Sequence, residues 1–197
     1  MRPNRPYHHG NLRQALLDRA AVVLRERGAA ALSLRELARD LGVSHAAPGR
    51  HFPDRQTLLD ALAVEGFARL GAQLQAAVAA RSGFADQVRS LAGAYVDFAT
   101  EDANLLELLF ARKHGACDDS LGERAADAFA PTLEIFRRGE AEGMLPAGDP
   151  KRTGLIFVAT LQGIAALVNS GVIPPEQLPE LIDDAVAQFL PAARSVS

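Results

Sequence analysis

Apolar residues recur along most of this chain at intervals of three and four, the spacing that lines one face of an α-helix. Leu12, Leu16, Ala20, Val23 and Leu24 form a first stripe closed by Gly28, which predicts a helix over 12–27 capped by Asn11. Leu34, Leu37, Ala38 and Leu41 form a second, opened by Ser33 and Glu36 as a reciprocal capping box and stopped by Gly42. Ser44 can cap a third helix at once, running to Phe52. Asp54 then caps a long helix over 55–81 through Leu58, Leu59, Leu62, Leu70, Leu74 and Val78.

The alternation of stripes and breaks continues beyond Ser82 and Gly83. Phe84, Val88, Leu91, Tyr95 and Phe98 share one face, and 104–113 is short and apolar on the side of Leu105, Leu108, Leu109 and Phe110. Leu121, Ala125, Phe129, Leu133 and Phe136 make another long stripe, ended at Gly143 and the loop around Pro146, Gly148 and Pro150. Residues 155–168 are apolar almost all round, which implies burial against several partners. Leu178, Leu181, Ile182, Val186, Phe189 and Leu190 line a last amphipathic helix. Nothing alternates with the period of a strand, so the pattern predicts an all-α protein of about nine helices.

Composition supports that picture and charge refines it. Ala, Leu, Arg and Glu dominate and tryptophan is absent, a mixture that favours helix. The net charge of −3 over 197 residues hides an asymmetry. Residues 1–60 carry ten Arg against six acidic residues, and the remainder eleven Lys and Arg against eighteen acidic residues. Four of the five histidines, His8, His9, His45 and His51, also lie in the basic segment. A basic N-terminal part on an acidic body implies one anion-binding region and one that is not.

Cys117 is the only cysteine, so no intrachain disulfide can form and an inert thiol is expected. No secretory h-region follows Met1, and the apolar run 155–168 is expected to be too short to span a bilayer, so a soluble, cytoplasmic protein is the expectation. Paired cysteines, HExxH, GxGxxG, a Walker-type loop and GxSxG are all missing, so the sequence gives no positive reason to expect a metal, a cofactor or catalysis.

The feature with the clearest chemistry is 33–52, SLRELARDLGVSHAAPGRHF. Two short helices joined by a glycine-containing turn make a helix-turn-helix, whose second helix can enter a DNA major groove. A plain helical hairpin inside an all-α bundle shares the same cap, glycine and spacing. Ahead of it, MRPNRPYHHG is either an ordinary mobile terminus or an arginine-bearing arm for a minor groove.

From Tyr7 to Leu62, through YHHGNLRQALLDRAAVVL and RERGAAALSLRELARDLGVSHAAPGRHFPDRQTLLDAL, the sequence resembles the tetracycline-repressor (TetR) family of bacterial transcription regulators. The resemblance implies a three-helix DNA-binding domain, here 1–54, and a larger helical ligand-binding and dimerisation domain, here 55–197. It further implies a ligand-responsive regulator, a repressor rather than an enzyme, binding a double-stranded palindromic operator as a homodimer and an unidentified small-molecule effector. The alternative is an all-α small-molecule-binding protein or enzyme whose helix-turn-helix is structural only.

The arm reading puts forward Arg5 and Tyr7 as DNA contacts, and the resemblance, carried residue by residue, gives Ser33 and Ser44 phosphates at the starts of their helices. His45, Ala46 and Ala47 would face base edges, and Arg50, His51 and Arg55 the backbone or nearby bases. Gly49 stands where close relatives of the motif carry a backbone-contacting tyrosine, so that contact is lost and the helix is weakened by about 1 kcal/mol relative to alanine. Pro48 is expected to be tolerated as a first-turn residue. Towards the C-terminus a regulator subgroup carries Trp and then His-Gly where this chain has Val158, Gln162 and Gly163. Family analogy makes 155–169 and 176–190 the dimer interface. A pocket is expected among Tyr95, Phe98, Phe110, Phe129, Phe136 and Phe157, with Thr132 and Gln162 as polar handles; a plain aromatic core is the competing reading.

Overall fold

Gly28 and Gly42 take φ of 75° and 68°, a backbone region costly for any residue with a Cβ, and they end the first two helices. In the computed structural model, which describes residues 12–110 and 119–190, these are α1 (Leu12–Arg27) and α2 (Leu34–Asp40). A 3-10 turn, Ala29–Ala31, links them. Past α2 the Val43 amide donates to the Ala38 carbonyl at 3.0 Å and the Gly42 amide to Arg39 at 3.1 Å, the paired bonds of a Schellman stop. Arg19 pairs with Asp40 at 2.9 Å across the two helices.

The body follows as α3 (Arg55–Ala79), α4 (Phe84–Glu101), α5 (Ala103–Phe110), α6 (Asp119–Ala141), α7 (Pro150–Asn169) and α8 (Leu178–Ala187). The described residues therefore form eight α-helices and no strand. The ninth helix expected from the pattern, 44–52, is instead a turn followed by a single 3-10 turn, Pro48–Arg50. The Asn11 cap, the arm with Arg5 and Tyr7, the end of the 104–113 helix and Cys117 lie outside the described residues.

The long α3 organises the packing. Its N-terminal half buries Leu58, Leu59 and Leu62, while Leu70 and Leu74 are buried further along. Its most extensive neighbours are α6 and α4. At the α3–α6 crossing Gly71 brings the backbones close: a Cβ there would lie 3.0 Å from the Ala128 Cα. The buried apolar side chains form one continuous cluster from Leu12 to Val186, with no gap between the N-terminal helices and the body.

Two faces differ from the sequence pattern. On α6 the inward positions are Leu121, Ala128, Thr132, Ile135 and Phe136, whereas Leu133, expected on the buried stripe, is 40% exposed. On α7 only Gly154, Phe157, Leu161 and Ala165 are buried. Leu155, Ile156 and Leu167 face outward, as does Val172 in the turn beyond. The helix does pack against several partners, α4, α6 and α8, but on one side only. Over its full length, Pro150–Asn169, α7 is long and apolar enough by composition to cross a membrane, as core helices of soluble proteins also can be. Its half-covered state in the fold shows a helix with one face packed on the body and one apolar face left over.

Candidate functional site

Ser33 has extended backbone, and its hydroxyl accepts the Glu36 amide at 3.5 Å, a long N-terminal cap. The Glu36 carboxylate turns toward Arg27 at 3.4 Å and Arg39 at 3.9 Å. Beyond the Gly42 turn, Ser44, His45 and Ala46 are exposed, Ala47 is half-buried, and Pro48 is buried. Gly49, Arg50 and His51 are exposed, while Phe52 is buried beneath the Arg13 guanidinium, 5.3 Å from its ring centre.

The backbone of this segment shows why no α-helix forms from Ser44. With Ser44 as cap, Pro48 falls where the first intrahelical amide should bond the Ser44 carbonyl, and proline has no N–H to offer. The Ser44 carbonyl is taken instead by the Ala47 amide at 3.0 Å, a tighter turn. Arg50 then bonds Ala47 at 3.3 Å, and His51 and Phe52 both bond the Pro48 carbonyl at 2.9 Å. Proline at this position is not the harmless first-turn residue that the sequence suggests.

The fold nevertheless brings two of the candidate contacts, Ser33 and His45, to one hollow. A hollow of about 400 Å³ is lined by Ser33, Arg35, Glu36, Arg39 and His45. The sequence pattern makes Arg35 and Arg39 solvent-facing positions of α2, and their convergence with His45 depends on the Gly42 turn. Arg55 is differently employed: its Nε donates to the Leu32 carbonyl at 3.1 Å and an Nη to Ala29 at 2.5 Å. It thereby ties the link before α2 to the first turn of α3. Beside it, the Thr57 amide and hydroxyl donate to the Asp54 carboxylate at 2.7 and 2.9 Å. These bonds, the amide foremost, hold the Asp54 carboxyl below the usual carboxylate range. The resulting stabilisation is complete above the ordinary aspartate pKa and is lost as pH falls through Asp54's lowered value. Amide exchange in the first turn of α3 should accelerate over that acidic window and not in Asp54→Asn.

In the body the eight pocket candidates separate into groups. Tyr95, Phe129 and Phe110 form a ladder, with ring centres 6.2 and 6.3 Å apart, from a buried tyrosine to a 40% exposed phenylalanine. The Tyr95 hydroxyl, its pKa pushed up by burial, donates to Gln162 Oε1. Phe136 packs instead against Phe84, Phe157 and Phe189, with centres at 6.5, 5.2 and 6.2 Å. Phe98 lies under the Arg69 guanidinium, 4.9 Å from ring centre. Phe110 and Gln162 alone of the eight line a cleft of about 620 Å³, together with Asn104, Leu106, Glu107 and Asn169 among others.

Thr132 is 2% exposed and its hydroxyl has no hydrogen-bond partner among the described residues. An unpaired buried hydroxyl costs about 1–3 kcal/mol. Thr132→Val keeps the shape and removes that cost, so the melting temperature should rise by about 2–4 °C per kcal/mol recovered. Differential scanning calorimetry reads the sign directly.

Helix α2, its Gly42 stop and the short 3-10 turn beyond it stand in helix-turn-helix order, with Arg35 and Arg39 converging on His45 and an all-helical body behind, the class of a DNA-binding transcription regulator. The comparisons agree. Residues 16–62 match "Bacterial regulatory proteins, tetR family" and residues 88–190 match "Tetracyclin repressor-like, C-terminal domain". The chain belongs to the tetR family of regulators. A solved protein of unknown function from Rhodococcus sp. RHA1 is 43% identical, covering 94% of this chain and 97% of its own, with a TM-score of 0.85. The fold is shared with the TetR family transcriptional regulator PfmR from Thermus thermophilus (19% identity, 89% and 96% covered, TM-score 0.68). It is also shared with a tetR family regulator from Shewanella sp. PV-4 (19% identity, 90% and 95% covered, TM-score 0.70). No curated protein matches the chain.

Proposed function

We propose that this chain is a ligand-responsive repressor that binds a palindromic operator as a homodimer paired through α7 and α8, with 1–54 reading DNA and 55–197 binding the effector. The observation that carries the dimer is the uncovered face of α7. Leu155, Ile156 and Leu167 are 69%, 49% and 43% exposed. Between them Ala159, Gly163 and Ala166 are also exposed, small enough for a second helix to approach closely. A contiguous apolar helix face left open on a regulator of this class fits a second copy of itself.

In this reading Ser33, Ser44, Arg50 and Arg55 meet phosphates, with Arg55 doing so alongside its bonds to Ala29 and Leu32. His45, Ala46, Ala47, Gly49 and His51 run along the groove, and Arg5 and Tyr7 reach the DNA from the arm. Gln162 and Phe110 supply the effector site from the cleft between α5 and α7, with Tyr95 and Phe129 behind them. Thr132, Phe98, Phe136 and Phe157 then form the supporting core that a bound ligand shifts. Footprinting on DNA flanking the gene tests this. Protection should fall symmetrically on two half-sites spaced by about one helical turn or a multiple of it.

A second reading, a helical small-molecule-binding protein or enzyme whose helix-turn-helix is structural only, draws support from the single 3-10 turn at Pro48–Arg50. Under that reading the footprint is absent while a ligand still binds the cleft.

A further inference from the structure

Asp102 sits at the break between α4 and α5, with φ −126° and ψ 50°, and is only 9% exposed. Two arginines from distant parts of the chain hold its carboxylate. Arg25, in the last turn of α1, donates Nε to Oδ1 at 2.6 Å and an Nη to Oδ2 at 3.5 Å. Arg69, in the middle of α3, donates an Nη to Oδ2. Arg69 is itself laid over the Phe98 ring. Two residues on, the Asn104 amide donates to the Arg25 carbonyl at 3.0 Å, so α1 is gripped there by side chain and backbone together. Arg25, Arg69 and Asp102 rim a hollow of about 250 Å³ floored by Leu24, Leu62 and Leu105, where α1, α3 and α5 meet.

A carboxylate withdrawn from water is costly unless well paired, and one guanidinium in bidentate geometry goes far toward pairing it. The second arginine adds a connection. Arg25 lies one turn of helix before Gly28, where the chain leaves α1 for the link to α2. Arg69 and Asp102 belong to the body. Both guanidinium groups remain about half exposed, so the grip is strong at the carboxylate and reversible at its rim.

We propose that Asp102 is a positioning residue for DNA binding: by holding Arg25 and Arg69 together at the α4–α5 break, it fixes where the α1–α2 unit sits on the body. This rests on the family assignment of α1, α2 and the following turn as the DNA-contact unit. The bonds that should loosen first are those leaving α1, Gly28 to Leu24 at 2.8 Å, Ala31 to Gly28 at 3.2 Å and Leu32 to Ala29 at 3.1 Å.

The test is hydrogen exchange on the full-length protein without DNA, paired with binding to the DNA flanking its gene. Arg25→Gln and Asp102→Asn should each speed exchange of amides 25–32 by about tenfold or more while α6 and α7 keep their protection. Each should weaken specific DNA binding by about tenfold at unchanged folded fraction, and Asp102→Glu, which keeps the charge, should recover most of it. Arg25 is exposed, so its variant keeps the test valid should Asp102→Asn fail to fold. Unchanged exchange at 25–32, acceleration spread evenly over the chain, or local acceleration with unaltered DNA affinity each overturns the proposal. Failure of the regulator reading shows separately, as wild-type protein that does not prefer the flanking DNA, and exchange then decides the role of Asp102 in holding α1.

Discussion

Ala159→Arg should turn the proposed α7-paired dimer into a folded monomer and cost most of its affinity for operator DNA. Ala159 is exposed near the middle of the outward face of α7, between Ile156 and Gly163. A charged, long side chain there costs the isolated chain almost nothing, because it points to water. In a helix-to-helix interface it must be buried unpaired or hold the helices apart, each a cost of several kcal/mol. Losing the second recognition unit then removes the avidity of two linked half-sites, a factor of about 10²–10⁴. Sedimentation equilibrium should show one chain per particle, with circular dichroism unchanged. A variant that stays dimeric and keeps its affinity would put the interface somewhere other than α7.

Phe136→Ala should be the most damaging single change to the body. The ring is 1% exposed and touches Phe84, Phe157 and Phe189, so it joins α4, α6, α7 and the residues after α8. Deleting such a ring costs about 3–5 kcal/mol, equivalent to a fall of about 6–20 °C in melting temperature for a chain of this size. Phe136→Leu should recover much of the loss, since the space is refilled though the edge-on ring contacts are not. Urea denaturation reads both. A loss under about 1 kcal/mol for the alanine variant would mean that the site is loosely packed, and would return Phe136 and Phe157 to the ligand-pocket candidates.

What the sequence made legible was local chemistry. The Ser33 and Asp54 caps and the Gly42 stop each depend on atoms a few residues apart, and all three form in the fold. The 44–52 segment goes astray on a local rule applied one residue too generously. The rule counts Pro48 among the donor-free first-turn positions, whereas it holds the first position whose amide a helix from Ser44 requires. The α6 face is misplaced because apolar spacing says which residues could be inside, while its packing against α3 and α7 decides which are. That packing turns Leu133 outward and Thr132 inward. Nothing in periodicity could show Arg25 meeting Asp102 across the chain, or Arg55 spending its donors on Ala29 and Leu32. The aromatic candidates are legible as apolar stripes, but their partition between ladder, cluster and cation-capped ring depends on helix crossing geometry.

Whether the surface around Ser33, His45 and Arg50 reads DNA despite its missing α-helical turn is decided by binding across salt concentration. The DNA flanking the gene and a scrambled duplex of equal length are the two ligands. Binding should be tighter to the flanking DNA at every salt concentration. Log affinity should fall linearly with log salt, and Arg50→Ala should reduce that slope by about one unit. Equal affinity for the two duplexes at all salts, or a slope unmoved by Arg50→Ala, would mean that this surface does not read DNA.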